Sequence, residues 1–485
     1  MDMMRFLAFD VGTTSMKCIL FNEKFEELFY ENREYDIESG REGIAEIDPK
    51  IYYRTFCDCI LAMQERVSAS HTPMAICFTT QGETLIPLDA EGAPLCKAIV
   101  WLDTRAAEEA DYIGQKIPKE EWYSTTGLCQ IDGALPLAKV LWLKKNKPEI
   151  YKRTDKFLLL EDYLIFRLTG RSVSERSLQS STGWYDIIRD QMYADALEQC
   201  SLDKEKFPEV LPCGSIVGSI LPERANELRL YEKTVVVTGA MDQIASAIGA
   251  GNTRQGIITE TTGTALVVGA TVIRPQFDLR TPLTVYKHYN DQFIYMPYFP
   301  TAGITLKWFR DTILPHLTDE AKEKGVSSYD LLNDIARNSP PGCNGVIMNP
   351  DMMSGGAFHG LSLATTLPDL ARSVMEGVAF MLRNLTEAVE AKGIAVDHIL
   401  SMGGGSYSAL WSGIKASVCG KTIRCVGYSQ TTALGAAILA AVAVGCYESV
   451  EAARECLNSS THTYEPDMSE KTIYDGVYIQ YKNYI

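Results

Sequence analysis

The sequence has no Cys-x-x-Cys pair, no excess of positive charge and no apolar run long enough to span a bilayer. Each absence removes a class of protein. The 13 cysteines are odd in number and scattered, and the closest two are Cys57 and Cys59. A zinc site or a disulfide framework is therefore not expected, and a reducing cytoplasm is the simpler setting. Lysine and arginine number 46 against 62 acidic residues, a formal net charge of -16. That argues against a nucleic-acid binder, which needs cations to neutralise phosphates. It leaves room for an anionic ligand in a locally positive site. The longest weakly polar stretch, Ala433 to Tyr447, is Gly-broken and rich in Ala. It falls short of the roughly 20 residues a spanning helix needs, so it is expected to be a buried helix, with no membrane partner. The N-terminus runs straight into a strand, with no signal peptide expected. Two nucleotide motifs also fail. Cys419-Gly420-Lys421-Thr422 ends like a P-loop, but Lys415 stands where its first Gly belongs. Gly249-Ala250-Gly251 begins like a dinucleotide fingerprint, but Arg254 holds the third Gly position.

What is present is an ordinary globular composition, 46% hydrophobic and 22% charged over 485 residues, enough for two domains or more. Near the start, Phe6 to Phe9 form an apolar run that ends in Asp10. Gly12-Thr13-Thr14-Ser15 follows, and after Lys17 a second apolar run, Cys18 to Phe21. This reads as a β-hairpin with a carboxylate at a strand end and a hydroxyl-rich turn. Gly12 allows an unusual backbone and a close approach. Such a turn can hold phosphate oxygens, and Asp10 suits a hard cation such as Mg²⁺. An ordinary hairpin fits the same residues, since turns favour Gly and Thr. About 250 residues later the plan recurs: Ile257 to Thr259, then Glu260-Thr261-Thr262-Gly263-Thr264, then Leu266 to Val268. The spacing indicates a duplicated domain, with a boundary near the Gly-rich junction 249–252.

Between the hairpins, polar residues collect at the ends of short apolar strands, where α/β sheets place ligands. Ala75 to Thr80 runs into Gln81-Gly82-Glu83, Ala98 to Val100 into Trp101-Leu102-Asp103-Thr104-Arg105, and Val235 to Thr238 into Gly239-Ala240-Met241-Asp242-Gln243. The stretch 103–186 reads as mainly helical. Asp242 alone suits a helix N-cap as well as a catalytic base. Trp101 suits the core, and Asp103 and Arg105 suit a structural pair. In the second half, Gly303 opens a helix containing Lys307, which reads as a solvated side chain. Pro368-Asp369 opens an amphipathic helix, and Gly403-Gly404-Gly405 joins the strand His398 to Met402 to a helix.

Gly356-Ala357-Phe358-His359-Gly360-Leu361, then Asp369-Leu370, then Ser373-Val374-Met375-Glu376 satisfies a signature of the FGGY family of carbohydrate kinases, and the chain resembles that family from Phe6 to about Tyr447. A second signature is approached at Pro136, Lys139 and Trp142 and departs at Ala134. The Cys-rich zinc motif of another sugar-kinase class is absent. The resemblance implies an α/β protein of two ribonuclease H-like domains, of the actin and sugar-kinase kind, with an interdomain active-site cleft. Residues 1–249 would bind the sugar and carry the base, and 250–485 the nucleotide. It implies ATP and Mg²⁺ as cofactors and phosphorylation of a terminal hydroxyl of a ketose or related polyol, with a pentulose such as xylulose first. By motif position, Asp242 would be the base and Asp10 the metal organiser. Gly12, Thr13, Thr14 and Lys17 would meet the phosphates from one hairpin, and Thr262, Gly263 and Thr264 from the other. Gly303, Gly404 and Gly405 would contact the nucleotide. Gln81, Gly82, Glu83, Trp101, Asp103, Asp242 and Gln243 would line the sugar site, with Gly82 leaving room for a larger substrate. Glu83 and the Trp101 segment are similar to glycerol kinases, which keeps a glycerol or small-polyol kinase as the alternative. An actin- or chaperone-like ATPase is the reading from another class. Similar enzymes are commonly dimers, and a homodimer is left open.

Overall fold

Two β-sheets with one plan carry the molecule, a computed structural model that describes residues 4–41, 43–67, 74–457 and 462–484. The first sheet runs in the order Ile216–Ser219, Val235–Met241, Met74–Thr80, Arg5–Val11, Ser15–Phe21, Glu27–Glu34. The strands Val235–Met241, Met74–Thr80 and Arg5–Val11 are parallel, and the hairpin Arg5–Val11/Ser15–Phe21 pairs Asp10 with Lys17 across the ladder. The second sheet has the same sequence of pairings. Leu266–Val272 and Ile257–Thr262 form the antiparallel hairpin, His398–Met402 and Thr422–Cys425 follow in parallel, and His462–Tyr464 closes antiparallel. The inner strands read as apolar runs because helices cover both faces of a parallel sheet. Phe6 to Phe9 and Met74 to Phe78 are completely buried.

The chain divides into two compact units. Unit 1 is Met1–Thr253 with Ile273–Ile294 and Gln430–Asn458, and unit 2 holds Arg254–Val272, Tyr295–Ser429 and Ser459–Ile485. The first border falls between Thr253 and Arg254, just after the Gly-rich stretch 249–252, and unit 1 also takes in two later segments. The helix Thr431–Ala443, within the stretch read as a buried helix, lies against the helix Asp242–Ala250 at backbone contact. A Cβ on Gly435 would lie 1.9 Å from the Ala245 carbonyl oxygen, and one on Gly249 1.9 Å from that of Thr431. The segment 273–294 returns through the Tyr123 hydroxyl, which donates to the Leu283 carbonyl at 2.7 Å, and through the Val285 amide, which donates to the Gly127 carbonyl at 2.9 Å. These ties depend on single residues far apart in sequence and leave no periodic trace. Among the described residues no helix is long and apolar enough to cross a membrane.

The helical reading of 103–186 holds for Ala107–Lys116, Lys119–Thr126, Pro136–Asn146, Pro148–Arg153 and Leu160–Thr169. It misses the short strands Val173–Glu175 and Tyr185–Asp186 and the strand Lys156–Leu159, which pairs antiparallel with Leu85–Leu88. The signature that carries the resemblance is scaffold. Asp369 caps the helix Leu367–Glu390 by accepting from the Thr366 amide and hydroxyl, and also accepts from Ser339 and Asn344. Glu376 lies buried against Arg372 at 2.7 Å and Tyr474 at 2.9 Å.

Candidate active site

In unit 1 the strand-end carboxylates converge. Asp242 is the first residue of its helix and does not act as the N-cap. Its Oδ1 accepts from the Gln243 amide at 2.6 Å. Burial raises its carboxyl to about 7, and the negative charge of Asp10 adds to the rise. A carboxyl poised there accepts a proton readily near neutrality. Asp10 pairs with Lys17 at 3.1 Å, and its side chain keeps 13% of its surface exposed.

Glu83 sits in the left-handed region at φ 63°, a costly conformation for a residue with a side chain. Lys139, completely buried, holds the segment by donating to the Glu83 carbonyl at 3.1 Å and the Val100 carbonyl at 2.9 Å. Burial raises the Glu83 carboxyl, Lys139 lowers it, and Asp132 and Asp242 raise it further. Burial pushes the Lys139 ammonium down. The neighbouring signature residue Trp142 stacks on Arg105, whose guanidinium lies 5.0 Å from the ring centre.

Several expectations change here. Trp101 is 38% exposed, not core, and its Nε1 donates to the Thr13 hydroxyl at 2.9 Å. It therefore ties the 101–105 segment to the turn of the first hairpin. Asp103 is completely buried, with Oδ2 accepting from Arg105 at 2.6 Å and from the Ala45 amide at 2.7 Å. Asp103 is thus a structural anchor and leaves the set facing a ligand. Gly82 does not open room, because a Cβ there would lie 3.2 Å from Met241 Sδ. Gly12 needs no special backbone, and a Cβ there would meet only the Ser15 oxygen at 3.4 Å. Its value is a bare approach beside exposed Thr14. Gln81 is buried, its amide donating to the Val11 carbonyl at 3.1 Å, so it braces the hairpin from below. Tyr35, which the sequence did not flag, clamps the turn: its hydroxyl lies 2.5 Å from the Gly12 oxygen and its amide donates to the Thr14 oxygen at 2.9 Å.

Unit 2 brings the second set together around one cavity of about 550 Å³. Thr262, Gly263, Thr264, Gly303, Gly404 and Gly405 all line it. Gly263 and Gly404 have open space where a Cβ would stand, so a side chain there would fill the cavity. The N-terminus of the helix Gly303–Ile313 opens onto it, a favourable end for phosphate oxygens. Gly303 packs on the hairpin turn, where a Cβ would lie 2.3 Å from the Gly263 oxygen. Lys307 lines the cavity yet pairs with Asp311 at 2.8 Å. Asn333, Tyr407, Ser408 and Trp411 are among the other lining residues. No motif marks those four, since they come from separate helices and a turn.

Thr262 is 2% exposed and its hydroxyl donates to Glu260 Oε2 at 2.6 Å, so its single proton is committed away from the cavity. The exposed Thr264 hydroxyl is the one the turn offers a ligand.

An α/β fold of two paired-hairpin sheets, with buried strand-end carboxylates in one unit and a cavity lined by the second hairpin in the other, is that of the sugar-kinase class of phosphotransferases. The comparisons agree across the whole chain. The N-terminal domain model of the FGGY family of carbohydrate kinases matches residues 5–249, and the C-terminal domain model matches 257–444. The chain belongs to the FGGY family and is a carbohydrate kinase. It is 28% identical to the xylulose kinase of Bacillus subtilis (strain 168), over 98% of this chain and 96% of that protein. It is 26% identical to a gluconokinase of Bacillus licheniformis, over 95% of this chain and 91% of that one. Among solved structures, the xylulose kinase of Rhodospirillum rubrum superposes with a TM-score of 0.91 at 25% identity, covering 99% of this chain and 98% of that one. The chaperone-like ATPase reading is set aside.

Proposed function

We propose that this kinase transfers the terminal phosphoryl group of ATP to a primary hydroxyl of an open-chain ketose or related polyol, with a pentulose of the xylulose type as the leading substrate. The observation that carries this reading is Asp242, held near 7 at a buried strand end beside Asp10 and Glu83. Asp242 takes the proton of the attacking hydroxyl. The new bond forms between that oxygen and the γ-phosphorus as the bond to the β,γ-bridging oxygen breaks, and ADP leaves. Glu83 accepts from substrate hydroxyls, and Trp101 offers an apolar wall. Thr13, Thr14 and Lys17 on one hairpin, and Thr264 with the Gly303 helix end in the other unit, are the phosphate donors.

Asp10 is the residue that would hold Mg²⁺. Among the described residues no cluster of three ligating side chains exists. That suits Mg²⁺, which keeps several waters and needs only one or two carboxylates beside nucleotide oxygens. When bound, the ion supplies charge neutralisation at the transferring phosphoryl.

Relatives named xylulose kinase and gluconokinase are nearly equally identical to this chain, at 28% and 26%, and the charge around the acidic site bears on the choice between them. Asp132 and Asp242 act on Glu83 against the nearby Lys139 cation, and Asp10 acts on Asp242, an acidic balance that favours a neutral polyhydroxylated acceptor over an anionic sugar acid. The test is a coupled ADP-release assay against ketoses, glycerol, other polyols and sugar acids, with Asp242→Asn beside the wild type. A ketose should give the highest kcat/KM. Asp242→Asn should lose roughly 10³-fold in kcat, within the range of general-base catalysis, while still binding ADP. Near-normal turnover by that variant would remove Asp242 as the base. Preference for gluconate would remove the neutral-acceptor reading.

A further inference from the structure

We infer that Lys415, through its buried pair with Glu260, is a positioning residue for phosphoryl transfer that fixes the Thr262–Thr264 turn beneath the nucleotide. The inference rests on the reading of the unit 2 cavity as the nucleotide site. Lys415 and Glu260 are both completely buried, with Nζ 2.7 Å from Oε1. The same ammonium donates to the Thr262 hydroxyl at 2.8 Å. Thr262 in turn donates to Glu260 Oε2 at 2.6 Å, and Ser401 donates to Glu260 Oε1. The Thr262 hydroxyl thus accepts one strong hydrogen bond and donates another, which fixes its rotamer and the backbone that follows it.

Two other walls of the cavity bear on this ammonium. Its Nζ lies 4.9 Å from the centre of the Trp411 ring. A Cβ on Gly405 would stand 3.4 Å from Nζ and 2.9 Å from the Thr262 Cβ. The hairpin turn, the Gly404–Tyr407 turn and the helix Ala409–Cys419 therefore meet at one side chain. Glu260 balances the charge of Lys415, so long-range attraction for phosphate is small. What the pair contributes is geometry: phosphate donors held in place before the ligand arrives. Nothing in the family signatures marks either residue.

The experiment measures ADP affinity by calorimetry and steady-state kinetics for the wild type, Lys415→Met and the double variant Glu260→Leu/Lys415→Met. Lys415→Met leaves a buried carboxylate without its cation, so its melting temperature should fall. The double variant removes both charges and should recover most of that loss. In both variants the ADP Kd and ATP KM should rise at least tenfold, with the acceptor KM within twofold of wild type. Full recovery of nucleotide affinity in the double variant would reduce the pair to a stability element and overturn the inference. Unchanged affinity in Lys415→Met would overturn it as well. Failure of the wild type to bind ADP would remove the nucleotide reading itself, and this inference with it.

Discussion

The two hairpins share a strand plan and differ in what is done with the acid. In the first, Asp10 stays partly open, pairs with the half-exposed Lys17 across the ladder, and presses on the titration of Asp242. In the second, Glu260 is sealed with Lys415 and three of its hydrogen-bond partners are side chains of the unit 2 core. Duplication therefore supplied two similar turns, and burial assigned them different work. An open carboxylate can meet a cation or a developing charge. A sealed, neutralised one can only hold its surroundings still. The clamps differ as well: the first turn is held by exposed Trp101 and buried Tyr35, the second by the buried ammonium of Lys415.

The sharpest way to break this comparison is to neutralise each acid in turn. Asp10→Asn should cost roughly 10²- to 10³-fold in kcat, the usual size of a lost electrostatic contribution at a reacting centre. Its melting temperature should stay close to wild type, because the Asp10–Lys17 pair is partly solvated and worth little. Glu260→Gln should act first on stability, and on turnover only through a higher ATP KM as the Thr262 turn loosens. Lys415 would keep a hydrogen-bond acceptor but lose its counter-charge, a loss of about 3 kcal/mol for a broken buried pair. Thermal unfolding and turnover measured on the same samples check both. A Glu260→Gln protein that melts like wild type would show that the second acid is not a structural anchor.

The sequence made both hairpins legible because each is local: an apolar strand, a Gly-Thr turn, an apolar return. It also made Asp242 legible, since a strand end followed by a helix leaves its own pattern. The different fates of Asp10 and Glu260 were not legible. Lys415 lies 155 residues beyond Glu260 and stood out only as the residue that spoils a P-loop. Asp103 turned out to pair with Arg105 while Trp101 stayed at the surface, for a similar reason. Whether a tryptophan packs inside or reaches Thr13, and whether an aspartate faces a ligand or Arg105, depends on which strand ends meet, not on the segment itself. The strongest sequence signature, ending at Glu376, proved to hold a helix in place instead of a ligand.

The coupling of Asp10 to Asp242 gives a pH test. As a base Asp242 must be deprotonated, so kcat/KM should climb with pH and level off above about 7. In Asp10→Asn the midpoint should move to lower pH, since a repelling charge is gone. The stability sign runs the other way. A carboxyl whose folded value lies above its unfolded value near 3.9 favours folding only while protonated. Stability is therefore lost as pH rises from about 4 to about 7. Asp242→Asn should be more stable than wild type at pH 8, by up to about 4 kcal/mol, and the gap should narrow steadily as pH falls toward 4. A kcat/KM profile flat from pH 5 to 8 would detach the rate from Asp242.

The smallest effect lies in the clamp that Trp101 places on the first turn. Its indole N–H donates to the Thr13 hydroxyl, which leaves the hydroxyl proton of Thr13 free to point at a phosphate oxygen. Trp101→Phe keeps most of the apolar wall and removes only that donor. A neutral hydrogen bond of this kind is worth about 1 kcal/mol, so the ATP KM should rise roughly fivefold while the acceptor KM holds. Trp101→Ala removes the wall as well, and both KM values should then rise. Equal effects of the two variants on the acceptor KM would mean that the ring touches no substrate and that Trp101 serves the hairpin alone. The first turn would then resemble the second, held by a side chain that never meets a ligand, and the contrast between the hairpins would narrow to Asp10.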